Sequence, residues 1–340
     1  MQYRKMLVTS MICFAFLLGA CSKTTTEQPI QEEEKNPPKQ EEAPNAEQES
    51  FPLTGVKTSE SVEGRAIAVM VNNHPDARPQ SGLAEADIVY ELLAEGNVTR
   101  FLAIYQSEWP EIIGPVRSAR DYYINLALGY DSLFLAHGYS PDAQEMLLSG
   151  VIDQINGMQY DGTLFKRADF RKAPHNSYIS AESIQEGAEK LGYDLIRTPD
   201  GLSFSDEAPT GEQADYVKVA YDGGGPFTAE YMYDEAEQTY ARYSAGEQTK
   251  NLETEAPIAL SNILIFETVH RVIDDAGRKA IDLTSGGRAY VVQKGVYQEI
   301  EWKNQDGRLL PFADGTLVQL TPGKTWIHIV PDMNIVSFEK

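Results

Sequence analysis

The stretch Gly114-Pro115-Val116-Arg117-Ser118-Ala119-Arg120-Asp121-Tyr122-Tyr123 stands between two different hydrophobic periodicities. Before it, Phe101 to Tyr105 is an apolar, strand-like run, followed by a short turn carrying Trp109-Pro110. After it, the apolar residues of Tyr122 to Leu128 recur at helical spacing. Ser118 is placed to cap that helix, and Asp121, three residues later, closes a capping-box-like pair. A helix start presents unpaired backbone N–H groups and a partial positive charge, and Arg117 and Arg120 flank this one. The combination suits a phosphate, a pyrophosphate or a carboxylate. The competing reading is that both arginines pair with carboxylates of a very acidic chain.

Working outward, Ala66 to Val71 reads as a buried strand that ends at the turn formers Asn72 and Asn73. Asp87 to Leu93 and Thr99 to Tyr105 are two more strands, with Glu95-Gly96-Asn97 as the hairpin turn between them. Helices are expected at 118–129, 141–149 and 181–191, and a strand at Ser132 to Ala136. Strands mixed with helices predict an α+β or α/β domain over residues 51–205, with helices on a mixed sheet. Its loops hold the polar residues of interest. Asn72, Asn73 and His74 end one strand, Arg100 begins another, and His137 follows a third. Lys172 to Tyr178, with His175 and Asn176, is a later loop. If the strand ends gather at one edge, these groups line one cleft. The candidate ligand-binding set is therefore Arg100, Arg117, Ser118, Arg120, His137, His175 and Asn176.

His74, His137 and His175 invite a metal reading, but their spacing matches no metal motif and no His-Glu-x-x-His is present. No metal, cofactor or catalytic residue is assigned. Asp142 and Glu145 share a face of a predicted helix and are read as a solvated face or a cap. Tyr122, Tyr123, Tyr130, Tyr139, Tyr160 and Tyr178 suit sugar stacking or, equally, core and cleft packing.

Leu202 to Gln213 is polar and contains Pro and Gly, as a domain boundary would. Beyond it, short alternating runs separated by turn residues predict a mainly antiparallel β domain over 212–340. Pro322-Gly323-Lys324-Thr325 resembles the end of a phosphate-binding loop, but the motif's first glycine would fall on Val318. A strand, not a helix, is expected after it, so it is a turn.

The N-terminus carries a different signal. Arg4 and Lys5 precede a 15-residue mostly apolar stretch, Met6 to Ala20, too short for a membrane span of about 20 residues. Leu18-Gly19-Ala20-Cys21 then looks like a bacterial lipobox, which makes residues 1–20 a signal peptide and Cys21 the lipidated residue. Cys13 is the only other cysteine, so the mature chain has no thiol left for a disulfide or a zinc site. Ser22 to Ser50 carries eight Glu and almost nothing apolar, and is expected to be a disordered tether. With +2 on the leader and −5 on the tether, the body carries −19 of the chain's −22. So acidic a surface argues against nucleic acid and against close contact with anionic lipid.

The lipobox, Pro79-Gln80-Ser81-Gly82-Leu83 with Ala86-Asp87, Thr99-Arg100-Phe101, Gly114 to Arg120 and Ala173-Pro174-His175-Asn176 together resemble the YerB family of Gram-positive lipoproteins. Gly323-Lys324-Thr325-Trp326 with Trp302 resembles that family's C-terminal domain. The resemblance covers roughly residues 60–335 and implies two domains and a place on the membrane, but little chemistry. The expected protein is an extracytoplasmic, lipid-anchored binder of an anionic or sugar-phosphate envelope ligand, or of an envelope protein. The alternatives are an envelope enzyme acting on a lipid-linked pyrophosphate and a scaffold that only docks to protein.

Overall fold

The computed structural model describes residues 48–340; the leader, Cys21 and the tether up to residue 47 lie outside the described residues. The last two tether positions, Glu49–Ser50, pair antiparallel with Lys57–Thr58, so here backbone pairing reaches into the acidic stretch.

A 12-stranded mixed sheet forms the centre. Its N-terminal strands are β1 (Ile67–Asn72), β2 (Ile88–Glu95), β3 (Val98–Tyr105), β4 (Leu133–Ala136) and β5 (Gln154–Asn156). β2 and β3 form the expected hairpin, with Gly96 at φ 56° in the turn, where glycine avoids the Cβ clash. Three helices of two turns or more punctuate this half, α1 (Asp121–Leu128), α2 (Pro141–Leu148) and α3 (Ala181–Leu191), beside the single turn Gly157–Tyr160. A separate small sheet sets β6 (Phe165–Arg167) and Ile112–Ile113 on either side of β7 (Ser177–Ser180).

The later part of the chain is almost wholly β. Strands β8 (Tyr216–Ala220), β9 (Thr228–Asp234), β10 (Thr239–Ser244) and the C-terminal Val336–Glu339 build an antiparallel sheet of their own. Strands β11 (Asn262–Glu267), β12 (Gly287–Gln293), β13 (Val296–Gln305), β14 (Arg308–Ala313) and β15 (Thr325–Val330) instead join the central sheet. The join is β15, which runs parallel to β11 on one side and parallel to β2 on the other. The turn at Gly323-Lys324 is followed by this strand, as expected.

Alternation along the strands explains the layers. Ile67, Val69 and Val71 of β1 point into one core, with Val89, Phe101 and Ala103 beside them. Ala68 and Met70 point into the other, with Tyr90, Leu102 and Phe134. The first core is closed by α3 and the antiparallel sheet, through Ile184, Val217, Val219 and Tyr231. The second is closed by α1 and α2, through Tyr123, Ile124, Leu126 and Leu147. A central strand covered on both faces must be apolar on both, and β1 is buried at all six positions. The protein is thus mostly β with a few short helices.

Candidate functional site

Parallel pairing puts several strand ends on one edge. β1 pairs parallel with β4 and β4 with β5, so Asn72, Ala136 and Asn156 all finish there. β3 runs the other way and enters at Arg100, opposite Asn72. Loops leaving the carboxyl ends of parallel strands are where open sheets place their ligands.

Residues 115–119 run along this edge as an extended strap, not as a helix cap. Asn72 N–H donates to Pro115 O (2.9 Å), Arg117 N–H to Met70 O (2.9 Å), and His137 N–H to Arg117 O (3.0 Å). Val116 N–H donates to Ser177 O, which brings in β7. The helix therefore starts at Asp121, with Arg120 at the cap position and no side-chain cap bond. Ser118 does not cap it: its hydroxyl donates to His137 O at 3.2 Å. The strap's backbone pairing outcompetes the capping geometry. Likewise Ser140, not Asp142, caps α2 by accepting from Ala143 N–H.

The arginines divide sharply. Arg100 donates twice to Glu95 (2.8 and 3.0 Å) and once to Ser118 O (2.7 Å). Arg120 also closes on Glu95. These two guanidiniums share one internal carboxylate. Arg117, half-buried, has no side-chain hydrogen bond or ion pair among the described residues. Burial, and then the charge of Arg100, pull its pKa down to about 10. It is a desolvated cation still lacking a counter-ion.

The histidine loops flank it. His137 accepts from Arg167 at Nε2 (2.9 Å), which leaves the proton on Nδ1 to donate to Ser177 Oγ (2.7 Å). Gly157 lies under this ring, and a Cβ there would collide with the imidazole. His175 Nδ1 meets Asn72 Nδ2 at 2.9 Å, and its ring stacks on His74 at 4.5 Å. Burial is the main cause that lowers the pKa of both His137 and His175; Arg167 adds to it at the first, His74 and then Arg117 at the second. Both are neutral donors or acceptors at pH 7. Asn176 accepts from Arg167 Nη1 at 3.2 Å and donates to Ala168 O. Thus Arg117, His137, His175 and Asn176 line one rim, with Ser118 behind it.

Two neighbouring features bear on what the rim can hold. A cavity of about 450 Å³ adjoins Arg167 and is walled by Ile112, Ala168, Phe170 and Tyr178. Ligand atoms of His74, Asp76 and His175 lie within 4.8 Å of one another, close enough that the three could hold a metal ion. Of the six tyrosines, Tyr122, Tyr123 and Tyr130 are core residues whose hydroxyls bond to Leu93 O, to Leu92 O and to Tyr90. Tyr178 lines the cavity, with its hydroxyl buried and unpartnered.

A second polar centre joins the two halves of the chain and was not anticipated. Glu91, fully buried on β2, accepts from Arg242 (2.8 Å), Trp326 Nε1 (3.1 Å), Thr99 (2.9 Å) and Asn73 (3.2 Å). Burial alone would push its pKa up, but Arg242 and then His328 outweigh this and hold it ionised. The legible signal was a lone glutamate inside the apolar run Ile88 to Leu93, since a fully buried carboxylate needs a partner.

Two family models match, described as the N-terminal and C-terminal domains of a protein of unknown function (DUF3048), over residues 53–194 and 217–327. YerB of Bacillus subtilis (strain 168), a lipoprotein by name, is 50% identical over 294 residues, which is 85% of this chain and 88% of that protein. The chain belongs to the YerB family. The crystal structure of the Bacillus subtilis YerB protein superposes with a TM-score of 0.82 at 49% identity, covering 86% of this chain and 99% of that one. The family's two domain models fall on either side of 195–216, while the central sheet draws strands from both. Among the described residues no helix is long and apolar enough to cross a membrane.

Proposed function

We propose that this member of the YerB family is a lipoprotein held by lipid on Cys21 at the outer face of the cell membrane. There it binds an anionic envelope ligand without catalysis. The leader and the lipobox-like Leu18 to Cys21 support the anchor, together with the lipoprotein name of its 50%-identical relative. The single observation behind the ligand is Arg117: a partly desolvated guanidinium without a carboxylate, on a chain of net charge −22. His137, His175 and Asn176 supply neutral contacts around it. The apolar cavity beside Arg167 suits the tail of an amphiphilic anion such as a prenyl phosphate. Arg100 and Arg120 orient the strap through Glu95 and do not contact the ligand.

The test is calorimetric titration of the full-length protein in detergent with inorganic pyrophosphate and a short prenyl pyrophosphate. Heat that Arg117→Ala abolishes supports the site. No heat from either anion, in folded protein, overturns it and leaves docking to a protein partner as the function.

A second reading has one specific support, the proximity of His74, Asp76 and His175. A divalent ion there would place a Lewis acid beside a bound pyrophosphate, as an envelope phosphotransferase or hydrolase requires. Pyrophosphate binding or turnover that depends on added zinc or magnesium, and fails in His175→Ala, would favour this reading.

A further inference from the structure

On the other side of the 73–80 loop lies a second cavity, of about 250 Å³, between that loop and β10 with its following hairpin. Its walls include Arg78, Gln80, Arg242, Ser244, Glu247 and Lys250. Arg78 donates to Asn73 O (2.8 Å), Asn73 Oδ1 (3.1 Å) and Pro226 O (2.7 Å), all neutral acceptors. No carboxylate lies within ion-pair distance of it among the described residues. Arg242, 1% exposed, donates from Nη2 to Glu91 and from Nη1 to Thr249, and its Nε has no partner. The Ser244 hydroxyl is also buried and unpartnered. Both residues belong to the cavity wall, and a buried donor without a partner costs stability.

Arg78, Arg242 and Lys250 stand with three carboxylates, Glu91 beneath, Glu247 on the wall and Asp222 near enough to act on Arg78; Glu91 is taken up by Arg242, and Arg78 has no ion-pair partner among the described residues. Burial, then the charge of Arg242, lower the pKa of Arg78 to about 10, against the pull of Glu91, Asp222 and Glu247.

We propose that this cavity is a second anion site, distinct from the Arg117 rim, which takes the phosphate group of a small polar ligand. Two guanidinium groups, an ammonium and a hydroxyl on the walls of one cavity match a tetrahedral acceptor with three free oxygens better than a planar carboxylate. The space beyond one phosphate, beside Glu247 and Gln248, fits a few hydroxyl-bearing atoms. A free phosphate and a polyol phosphate share this chemistry.

The experiment titrates full-length Arg117→Ala protein in detergent, so that any heat reports on this cavity alone. The probes are inorganic phosphate and sn-glycerol 3-phosphate. Ser244→Ala is the deciding variant, because its hydroxyl has no protein partner to lose and the unliganded fold should keep its thermal midpoint. The expected result is phosphate binding weakened about tenfold in Ser244→Ala, and more in Lys250→Ala, with affinity falling as salt is raised. Tighter binding of glycerol 3-phosphate supports an organic phosphate as ligand, and tighter binding of the inorganic ion a free one. The proposal is overturned by the absence of heat with both probes, or by affinities that neither substitution changes.

Discussion

Of the three arginines read as a cluster, two are paired with one carboxylate and the third has no such partner among the described residues. Glu95 pairs with both Arg100 and Arg120, which are largely buried, so removing it strands two cations at once. Glu95→Ala should cost about 3 kcal/mol of stability in urea unfolding, because an unpaired buried charge is far costlier than a lost surface pair. A loss below about 1 kcal/mol would mean the pairs are solvated. Arg117→Ala should behave in the opposite way. It has no partner to lose, so the unliganded protein should unfold at the same urea concentration or slightly above, while anion binding disappears. Residue types and their spacing made the cluster legible in the sequence. They carried no information about Glu95, which reaches it through a hairpin.

Elements, rather than single residues, set the rim's geometry. The strap at 115–119 is held by backbone pairing to β1, β4 and β7, and it fixes Arg117 whatever its neighbours' side chains. The short helical segment Gly157–Tyr160 after β5 has to let the His137 ring pass, and only a glycine at its first position does so. Gly157→Ala should displace the imidazole from Ser177 and Arg167, at a cost of about 1–3 kcal/mol. Its signature would be a changed His137 ring resonance in NMR, with the other histidines unaffected. An unchanged resonance would refute the packing. Helix positions were legible because amphipathic periodicity is local: α3 spans 181–191 as expected. The start of α1 was misread because an extended strap and a capping box draw on the same residues, and only distant strands decide between them.

At the scale of the molecule, the buried network around Glu91 is the joint between the chain's two halves. His328 belongs to it, fully buried, accepting from Tyr231 at Nε2 (2.7 Å) and meeting Tyr221 at Nδ1 (3.1 Å). Burial is the first cause that brings its pKa down to about 4, with Arg242 opposing protonation and Glu91 favouring it. The unfolded chain, at an ordinary value near 6.5, therefore takes up the proton first. Stability is complete above about pH 6.5 and falls as pH drops toward 4, by about 3 kcal/mol from this residue. His270, also lowered to about 4, chiefly by burial, acts in the same window. Urea unfolding at pH 7, 5.5 and 4.5 should show this decline, and His328→Gln should remove about half of it. Equal stability across that range would contradict a neutral, buried His328. Glu91→Gln should cost about 3–5 kcal/mol at pH 7, since Arg242 loses its buried counter-charge.

The sequence by itself determined the elements, the leader-like N-terminus and the family, because hydrophobic period, turn residues and motif order are local and additive along the chain. Ala66 to Val71, apolar at consecutive positions, already announced a buried strand. Only the tertiary structure decided that β15 inserts beside β2, and hence that Arg242 and His328 meet Glu91 across more than 150 residues of chain. It also decided which arginine keeps its charge uncompensated. Register between distant strands is chosen by the summed burial of two cores and by the cost of leaving a buried charge unpaired. Neither quantity belongs to any one segment, so neither can be read from one.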